Sequence, residues 1–247
     1  MNQNDLLKLK EMIKEANNIV FLTGAGISKA SGIPDIRGKD GLAKREDNEK
    51  KYSASYEEIV SHEYFLYRTE EFFRYYFNEM IYKNAKPNKT HLAIARLNNK
   101  ATVITQNIDA LHTRAGSKNV IEVHGSTYKN HCLGCHAFYT LDEVYKFRNK
   151  KGVPICPKCG KIIKPDVVLF NEPLNSDDLS MAINKISVAD LLIIIGSSLV
   201  VNPAASLPYY FTGRHIVIIN KDETPLDSRA DLVIHDNVED FIDQVID

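Results

Sequence analysis

Residues 19–38 have the sequence IVFLT-GAGISKASGIPDIRG. The apolar run Ile19–Thr23 predicts a buried β-strand, and the Gly-Ala-Gly that follows it lets the backbone turn sharply and approach a ligand closely. The free amides of such a turn can bind the pyrophosphate of a nucleotide. Lys29 replaces the third glycine of the dinucleotide-binding fingerprint, so the motif by itself also fits a tight turn that binds nothing.

The second half of this loop, Gly32–Gly38, begins and ends with glycine and contains Pro34. Glycine and proline make a buried helix unfavourable here. The segment also carries Asp35 and Arg37, whose charges suit a polar ligand. We interpret it as a loop that covers a nucleotide held by the glycine turn.

Length and composition limit the class of protein. The 247 residues allow one large domain or a domain with an insertion. Acidic and basic residues nearly balance, with a formal net charge of -1, so no excess of positive charge indicates a nucleic-acid partner. The longest apolar run, Leu191–Ile195, is too short to span a bilayer, and the first residues lack the apolar core of a signal peptide. We expect a soluble, cytoplasmic protein with no membrane partner and no direct nucleic-acid partner.

The four cysteines form two Cys-x-x-Cys pairs. In an intracellular chain this pattern is typical of a tetrahedral zinc site, with a redox role as the alternative. Four sulfur ligands leave no open position on the ion, so we expect one structural zinc that takes no part in chemistry. The predicted ligands are Cys132, Cys135, Cys156 and Cys159.

Short runs rich in Val and Ile predict the strands of the sheet. They are apolar without alternation, as expected of a parallel sheet whose two faces are both covered. The cysteine segment, roughly Tyr128–Ile163, interrupts the series. The predicted strands are Ile19–Thr23, Ala101–Thr105, Val120–Val123, Val167–Phe170, Leu191–Ile195, Ile216–Ile219 and Leu232–Ile234.

Apolar periodicity also predicts helices. Residues 5–17 form an amphipathic pattern, residues 56–82 are aromatic and helical, Thr90 is a candidate N-cap, and a closing helix is predicted to be capped at Asn237. Between the glycine loop and the aromatic stretch, residues 39–55 mix charges of both signs and predict a solvated, mobile segment.

Polar residues follow several predicted strands, where a parallel sheet gathers its ligands. Gln106, Asn107 and Asp109 follow one strand, although they also suit local turn hydrogen bonds. His124 precedes a glycine at the end of another strand and is a candidate general base. Gly196, Ser197 and Ser198 follow the most apolar strand, and Asn220 ends the next. We expect these strand ends to line one crevice.

These motifs occur together and in order over nearly the whole chain, which resembles the sirtuins, the NAD-dependent protein-lysine deacylases, in their bacterial type. The resemblance implies an α/β fold with a Rossmann-like parallel-sheet domain and an inserted smaller domain made of a helical module and a four-cysteine zinc ribbon. The implied division gives residues 1–38, 90–127 and 164–247 to the NAD-binding domain. It gives residues 39–89 to the helical module and residues 128–163 to the ribbon.

The resemblance also implies the reaction and its residues. The acyl-lysine carbonyl oxygen attacks C1′ of the nicotinamide ribose of the co-substrate NAD, nicotinamide leaves, and the acyl group passes to ADP-ribose. His124 would be the base on the ribose hydroxyls, with Asn107 and Gln106 also catalytic. The implied NAD positions are Gly24, Ala25, Gly26, Ser28, Asp35, Ile36, Arg37, Gln106, Asn107, Ile108, Asp109, Gly196, Ser197, Ser198, Asn220 and Val238.

The implied partner is an acyl-lysine protein or peptide, whose backbone would pair as a strand between two segments. The chain departs from the family at Ile36, where the family usually has Phe, and at Asn171, where it usually has Gly. Aligning Tyr76 and Glu79 with the family's acid-binding Tyr-x-x-Arg pair predicts a preference for neutral acyl groups. The implied substrate positions are Val168, Leu169, Phe170, Asn171, Val200, Val201 and Asn202.

Two other functions stay open from the sequence. An NAD glycohydrolase or mono-ADP-ribosyltransferase could use the same pocket, and a scaffold could bind zinc and nucleotide only to hold partners. A scaffold needs no base at a strand end, so His124 favours an enzyme. The products formed from NAD and an acetyl-lysine peptide distinguish the enzymatic alternatives.

Overall fold

The computed structural model describes residues 2–36, 41–44 and 51–246. Its strands form a six-stranded parallel sheet in the order β3-β2-β1-β7-β8-β9 and a three-stranded antiparallel sheet in the order β5-β4-β6. The strands are β1 (Ile19–Thr23), β2 (Ala101–Thr105), β3 (Val120–Glu122), β4 (Lys129–Cys132), β5 (Phe138–Thr140), β6 (Ile163–Pro165), β7 (Leu191–Ile195), β8 (His215–Ile219) and β9 (Leu232–Ile234).

Helices cover both faces of the larger sheet. Ile19 and Phe21 pack into one core cluster with the first helix and the C-terminal segment, whereas Val20 and Leu22 pack into another with the helix that follows Asn175. Burial on both faces explains why β1 is apolar without alternation. The α-helices are α1 (Gln3–Glu15), α2 (Tyr56–Ile59), α3 (His62–Tyr67), α4 (Thr69–Tyr75), α5 (Lys89–Arg96), α6 (Leu111–Arg114), α7 (Leu141–Lys146), α8 (Ser176–Ser187) and α9 (Ile242–Val245).

One predicted strand is wrong. Val167–Phe170 is apolar, but it does not join the parallel sheet. Its backbone hydrogen bonds go to the second residue after β3 and to the turn between α2 and α3: Val168 N donates to His124 O, and Phe170 N donates to Val60 O, each at 2.9 Å. Apolar character therefore marks this segment as buried but does not identify its backbone partner.

The predicted helix boundaries need four corrections. α1 spans Gln3–Glu15, because Asn2 accepts a hydrogen bond from Asp5 N and so fixes an earlier start than residue 5. The aromatic stretch breaks into α2, α3, α4 and a π-helical turn, Tyr76–Met80; Ser55 caps the start of α2, and Ser61 caps a new start at α3.

Asn88, and not Thr90, caps α5, since its side-chain oxygen accepts from Thr90 N and His91 N. The closing helix is a 3-10 turn, Val238–Asp240, followed by the short α9, and Asn237 makes no side-chain cap bond.

Part of the segment predicted to be solvated is buried. Leu42 and Tyr52 pack with Tyr56 and Tyr75 in one apolar cluster, with Ile36 at its edge. The remaining prediction for residues 39–55, including the charge-rich residues 45–50, falls partly outside the described residues. Across the part of the chain that the structure describes, no helix combines the length and apolar character needed to cross a membrane.

A pair of buried histidines lies beneath the carboxyl end of β1. His112 Nε2 lies 3.0 Å from Thr23 Oγ1, and the rings of His91 and His112 have centroids 4.7 Å apart. The side chains are 0% and 2% exposed, respectively. Burial lowers the pKa of His91 to about 4 and holds the pKa of His112 well below its usual range. Both rings are therefore neutral at physiological pH.

These histidines predict acid-sensitive stability. Each has a folded-state pKa below its unfolded value near 6.5, so unfolding takes up protons below that pH, and the free energy of unfolding falls as pH is lowered from about 6.5 towards 4. The slope is about 1.4 kcal/mol per pH unit for each such histidine. Urea unfolding between pH 7 and 5 should show a smaller slope for His112→Asn than for the parent, and equal slopes would contradict the assignment.

Candidate active site

A cavity of about 620 Å³ lies at the carboxyl edge of the parallel sheet. Residues that follow β1, β2, β3, β7, β8 and β9 all contribute to its wall. The predicted site residues on the wall are Gly24, Ala25, Gly26, Ser28, Asp35, Ile36, Gln106, Asn107, Ile108, Asp109, His124, Val168, Leu169, Phe170, Asn171, Gly196, Ser197, Ser198, Val201, Asn202, Asn220 and Val238. Arg37 lies outside the described residues, and Val200 is 52% exposed and not on this wall.

The floor of the cavity is a close contact between two glycine turns. Gly24 N donates to Ile195 O at 3.0 Å, and Gly26 N donates to Gly196 O at 2.9 Å. A Cβ atom on Gly24 would lie 2.7 Å from Gly196 O, and Gly196 has φ +62°. The sequence predicted these glycines for approach to a ligand. The structure shows that they are also required for the turns after β1 and β7 to approach each other.

Asn107 and Ser28 connect the glycine turn to Asp109. Asn107 Nδ2 donates to Gly24 O and to Ser28 Oγ, each at 3.1 Å, and Ser28 Oγ donates to Asp109 Oδ2 at 2.6 Å. Burial raises the pKa of Asp109, while the hydrogen bonds from Ser28 and Leu111 N oppose that rise. The network fixes an amide and a carboxyl group in place before any ligand binds.

His124 is held in one tautomer. Its Nδ1 lies 3.0 Å from Gln106 O, and because a carbonyl oxygen only accepts hydrogen bonds, Nδ1 carries the proton and Nε2 keeps its lone pair. Burial lowers the pKa of His124, although the hydrogen bond to Gln106 opposes this. Gln106 is itself fixed, since its Nε2 donates to Ser197 Oγ at 2.9 Å. The imidazole is therefore neutral and oriented, as a general base must be.

The covering loop is tied to itself and to the helical segment. Lys29 Nζ and Asp35 Oδ2 form an ion pair at 3.0 Å, and Ala43 N donates to Ile36 O at 2.9 Å. Ile36, Leu42 and Tyr56 lie in one apolar cluster, and all three line the cavity. Leu42 had no recognisable signal in the sequence, and Tyr56 was recognised only as the start of the aromatic stretch, because their place on the wall depends on how the loop folds back.

The helical segment contributes further wall residues that the sequence analysis missed. Val60, Met80 and Tyr82 line the cavity, and only their apolar character signalled burial. The alignment of Tyr76 and Glu79 to an acid-binding pair is not supported. Tyr76 is buried with its hydroxyl donating to Thr127 O at 3.4 Å, and Glu79 accepts from Lys51 and Tyr52. Neither residue is among those on the wall.

The four cysteine sulfurs form one cluster, with all Sγ atoms within 4.8 Å of one another. Cys132 Sγ lies 3.3 Å from Cys159 Sγ, and Cys135 Sγ lies 3.7 Å from Cys156 Sγ. A tetrahedral zinc with Zn–S bonds near 2.3 Å needs sulfurs about 3.8 Å apart, so the cluster fits that ion closely. Thiolates also match the ligand preference of zinc. The cysteines are thus placed to bind a structural metal.

The cluster has hydrogen bonds of its own. Gly134 N lies 3.3 Å from Cys132 Sγ, and the Tyr139 hydroxyl, itself buried, donates to Cys156 Sγ at 3.0 Å. Donors of this kind stabilise a thiolate and orient it towards the ion. Gly134 lies in the turn between β4 and β5 and Tyr139 lies in β5, beside an apolar cluster that includes Val144 and Ile163.

Comparison with known proteins relates this chain to one family. The model of the Sir2 family matches residues 24–203. An NAD-dependent protein deacetylase of Clostridium perfringens is 51% identical over 97% of this chain and 98% of its own length, and one of Clostridium tetani is 47% identical over 97% and 96%.

Solved structures agree with these relatives. A Sir2 structure with a p53 peptide and NAD+ has a TM-score of 0.83 and 39% sequence identity, covering 99% of this chain and 97% of that one. A structure of Sir2Tm bound to a propionylated peptide has the same TM-score, identity and coverage.

The cysteine cluster predicts metal-dependent folding. Cys132→Ala should lose its stoichiometric zinc and unfold at a lower temperature, because metal binding is coupled to the folding of a small sheet with little core. Tyr139→Phe should keep zinc but release it faster to a chelator. Atomic absorption and a chromogenic chelator assay measure both effects. A Cys132→Ala protein with unchanged zinc content and melting temperature would refute the site.

Proposed function

The chain belongs to the Sir2 family, and we propose that it uses the cavity at the carboxyl edge of the sheet as an NAD-dependent protein-lysine deacylase. The observation that carries this proposal is the neutral, oriented imidazole of His124 on the wall of that cavity. It lies at the end of β3, beside the Gln106–Ser197 pair that follows the neighbouring strands. A scaffold would not need a base held in this state.

NAD, the co-substrate, supplies the ribose carbon C1′ that bonds the acyl oxygen as nicotinamide leaves. We assign the glycine turn and Ser197 to the nucleotide, and Asn107 and Asp109 to the nicotinamide end. His124 Nε2 takes a proton from a ribose hydroxyl, whose oxygen then bonds the acyl carbon. A water molecule supplies the further oxygen, and the C–N bond to lysine breaks as the amine takes up a proton. The proton can be held on Nε2 because Gln106 O stabilises the charged ring through Nδ1.

The peptide is assigned to the groove between residues 168–171 and 201–202, which both line the cavity. Backbone pairing of this kind places little demand on the sequence around the lysine. Val60, Met80, Tyr82 and Val167 make the nearby wall apolar.

Among the described residues on the wall, the lysines are Lys29, bound to Asp35, and Lys221, which follows β8. β8 lies four strand spacings from β3 in the sheet, roughly 19 Å. No described lysine is therefore placed to hold an acidic acyl group beside His124, and we propose that neutral acyl groups are preferred.

We also propose the division into a Rossmann-like domain, a helical module and a zinc ribbon. The separate three-stranded sheet around the cysteines supports it. The boundaries at residues 89/90 and 163/164 fall inside α5 and β6, so we place them at 88/89 and 165/166. A cytoplasmic location is proposed because four free thiols that hold a metal suit a reducing compartment.

The first test of function is the product made from NAD and an acetyl-lysine peptide. We expect O-acetyl-ADP-ribose, nicotinamide and free lysine, and less product from the same peptide carrying a succinyl group. His124→Ala should reduce the deacylation rate about 100- to 10,000-fold, as loss of a general base does, and leave the Kd for NAD nearly unchanged. Mass spectrometry and calorimetry measure these quantities.

His215→Ala is the matched control, because His215 is the first residue of β8 and lies at the amino end of the strands, away from the cavity at their carboxyl ends. Release of plain ADP-ribose at the same rate with and without peptide would identify an NAD glycohydrolase and overturn the deacylase. Turnover of His124→Ala within a few-fold of the parent would remove the base from the mechanism.

The covering loop predicts a partial leak. Isoleucine at position 36 covers less of a reacting ribose than the aromatic ring usual in the family, so water and nicotinamide should return more often. We expect Ile36→Phe to lower NAD hydrolysis per deacylation by up to about tenfold, which corresponds to roughly 1.4 kcal/mol of discrimination.

Leu42 shares this wall, so Leu42→Ala should increase the leak. Labelled nicotinamide exchange, measured beside product formation, reports both variants. Equal partitioning in the parent and Ile36→Phe would mean that Leu42 and Tyr56 already complete the cover.

A further inference from the structure

The segment Val167–Glu172 is fixed to the rest of the molecule on two sides. Val168 N donates to His124 O at 2.9 Å, which ties the segment to the backbone of the proposed base. On the other side Phe170 N donates to Val60 O, and Phe170 O accepts from His62 N, each at 2.9 Å. The segment therefore spans the distance between the base and the helical segment.

A partly buried lysine lies under this segment. The Lys164 side chain is 15% exposed, and its Nζ donates to Val167 O at 3.0 Å, to Pro165 O at 3.3 Å and to Glu172 Oε2 at 3.1 Å. An ammonium group has three N–H donors, and these three acceptors use all of them. Satisfying all three donors of this partly buried charge requires the chain to turn so that both carbonyl groups point at Nζ.

Glu172 closes the same turn from its other end. Its Oε2 accepts from Leu169 N at 2.9 Å as well as from Lys164, and its Oε1 lies 2.7 Å from His62 Nδ1. Burial works against the charged carboxylate, but the hydrogen bond from Leu169 N and the charge of Lys164 hold the pKa of Glu172 below its usual value. The Glu172 side chain is 16% exposed, so the pair is largely shielded from water.

We propose that Lys164 and Glu172 are positioning residues that set the backbone of Val167–Glu172 in the conformation that pairs with the substrate peptide. This rests on the proposed function, which assigns residues 168–171 to the peptide. Lys164 donates to the carbonyl of Val167, and Glu172 accepts from the amide of Leu169. The ion pair therefore fixes the orientation of two peptide groups in this short stretch. An apolar pair of equal volume could fill the space but could not hold those two groups.

The expected consequence falls on peptide binding more than on chemistry. Removing one partner of this partly buried pair leaves the other charge without its counter-ion, and the turn must then rearrange to expose that charge to water. The glycine turn and the Gln106–Ser197 pair have no contact with Lys164 or Glu172 among the hydrogen bonds of the described residues, so NAD binding should be little affected.

The test compares kcat and KM for peptide and for NAD in Lys164→Met, Glu172→Gln and Lys164→Arg. For the first two we expect the peptide KM to rise about tenfold or more, equivalent to about 1.4 kcal/mol, with the NAD KM within about twofold. Lys164→Arg keeps the charge and the donors and should restore most of the affinity for peptide. Fluorescence polarisation of a labelled acetyl-lysine peptide gives the same comparison without turnover.

Lys83→Met is the matched control, because Lys83 forms an exposed ion pair with Asp142 and lies outside the segment. An unchanged peptide KM in folded Glu172→Gln or Lys164→Met would overturn the proposal. So would a parallel rise in the KM for peptide and NAD, which would indicate a general structural role. A parent enzyme that makes no acyl-ADP-ribose would instead refute the proposed function, so the two failures are distinguishable.

Discussion

The contact between the turns after β1 and β7 is the constraint on which the site depends. Because β1 pairs in register with both β2 and β7, Thr23, Thr105 and Ile195 end at the same level. The chains that follow can meet only where no side chain intervenes, and the glycines at positions 24, 26 and 196 meet that requirement. Asn107 then reaches Gly24 O and Gln106 reaches Ser197, so the polar groups are placed by the same close approach.

Much of this arrangement could be predicted from the sequence, because the strands are buried on both faces. In runs such as Leu191–Ile195 every residue is apolar, so the length of the strand can be read from the sequence. Because the strands are parallel, the polar residues that follow them lie at one edge of the sheet. The cysteine spacing likewise predicted the sulfur cluster. The same reasoning failed for Val167–Phe170, which is equally apolar but bonds to His124 and Val60 instead of to a strand. The apolar composition of a segment indicates that it is buried. The partners of its backbone hydrogen bonds depend on where it lies in the folded chain.

The helical side of the cavity was the least predictable. Its wall residues Met80 and Tyr82 follow a chain whose direction is reset by the caps at Ser55 and Ser61. Each new helix start sets the direction of the side chains that follow it. An error of one residue in a predicted cap therefore changes which side chain is expected to face the cavity. Asn171 shows a related effect: it adopts φ +68°, where glycine is usual, and its side chain donates to Glu63 Oε2 at 3.0 Å. Sequence alone identified this residue as unusual but could not locate its partner.

The strand β6 joins two parts of the molecule that share no chemistry. Its Ile163 pairs with Cys132 in β4, and its Lys164 reaches the carbonyl of Val167 two residues beyond its end. One short strand therefore contacts both a cysteine of the predicted metal site and the segment proposed to pair with the peptide. Equilibrium coupling between two bound partners is reciprocal. If the bound ion strengthens peptide binding in the groove by a given free energy, a bound peptide strengthens ion binding by the same amount. A bound acyl-lysine protein would then raise the affinity of the cysteine cluster for zinc.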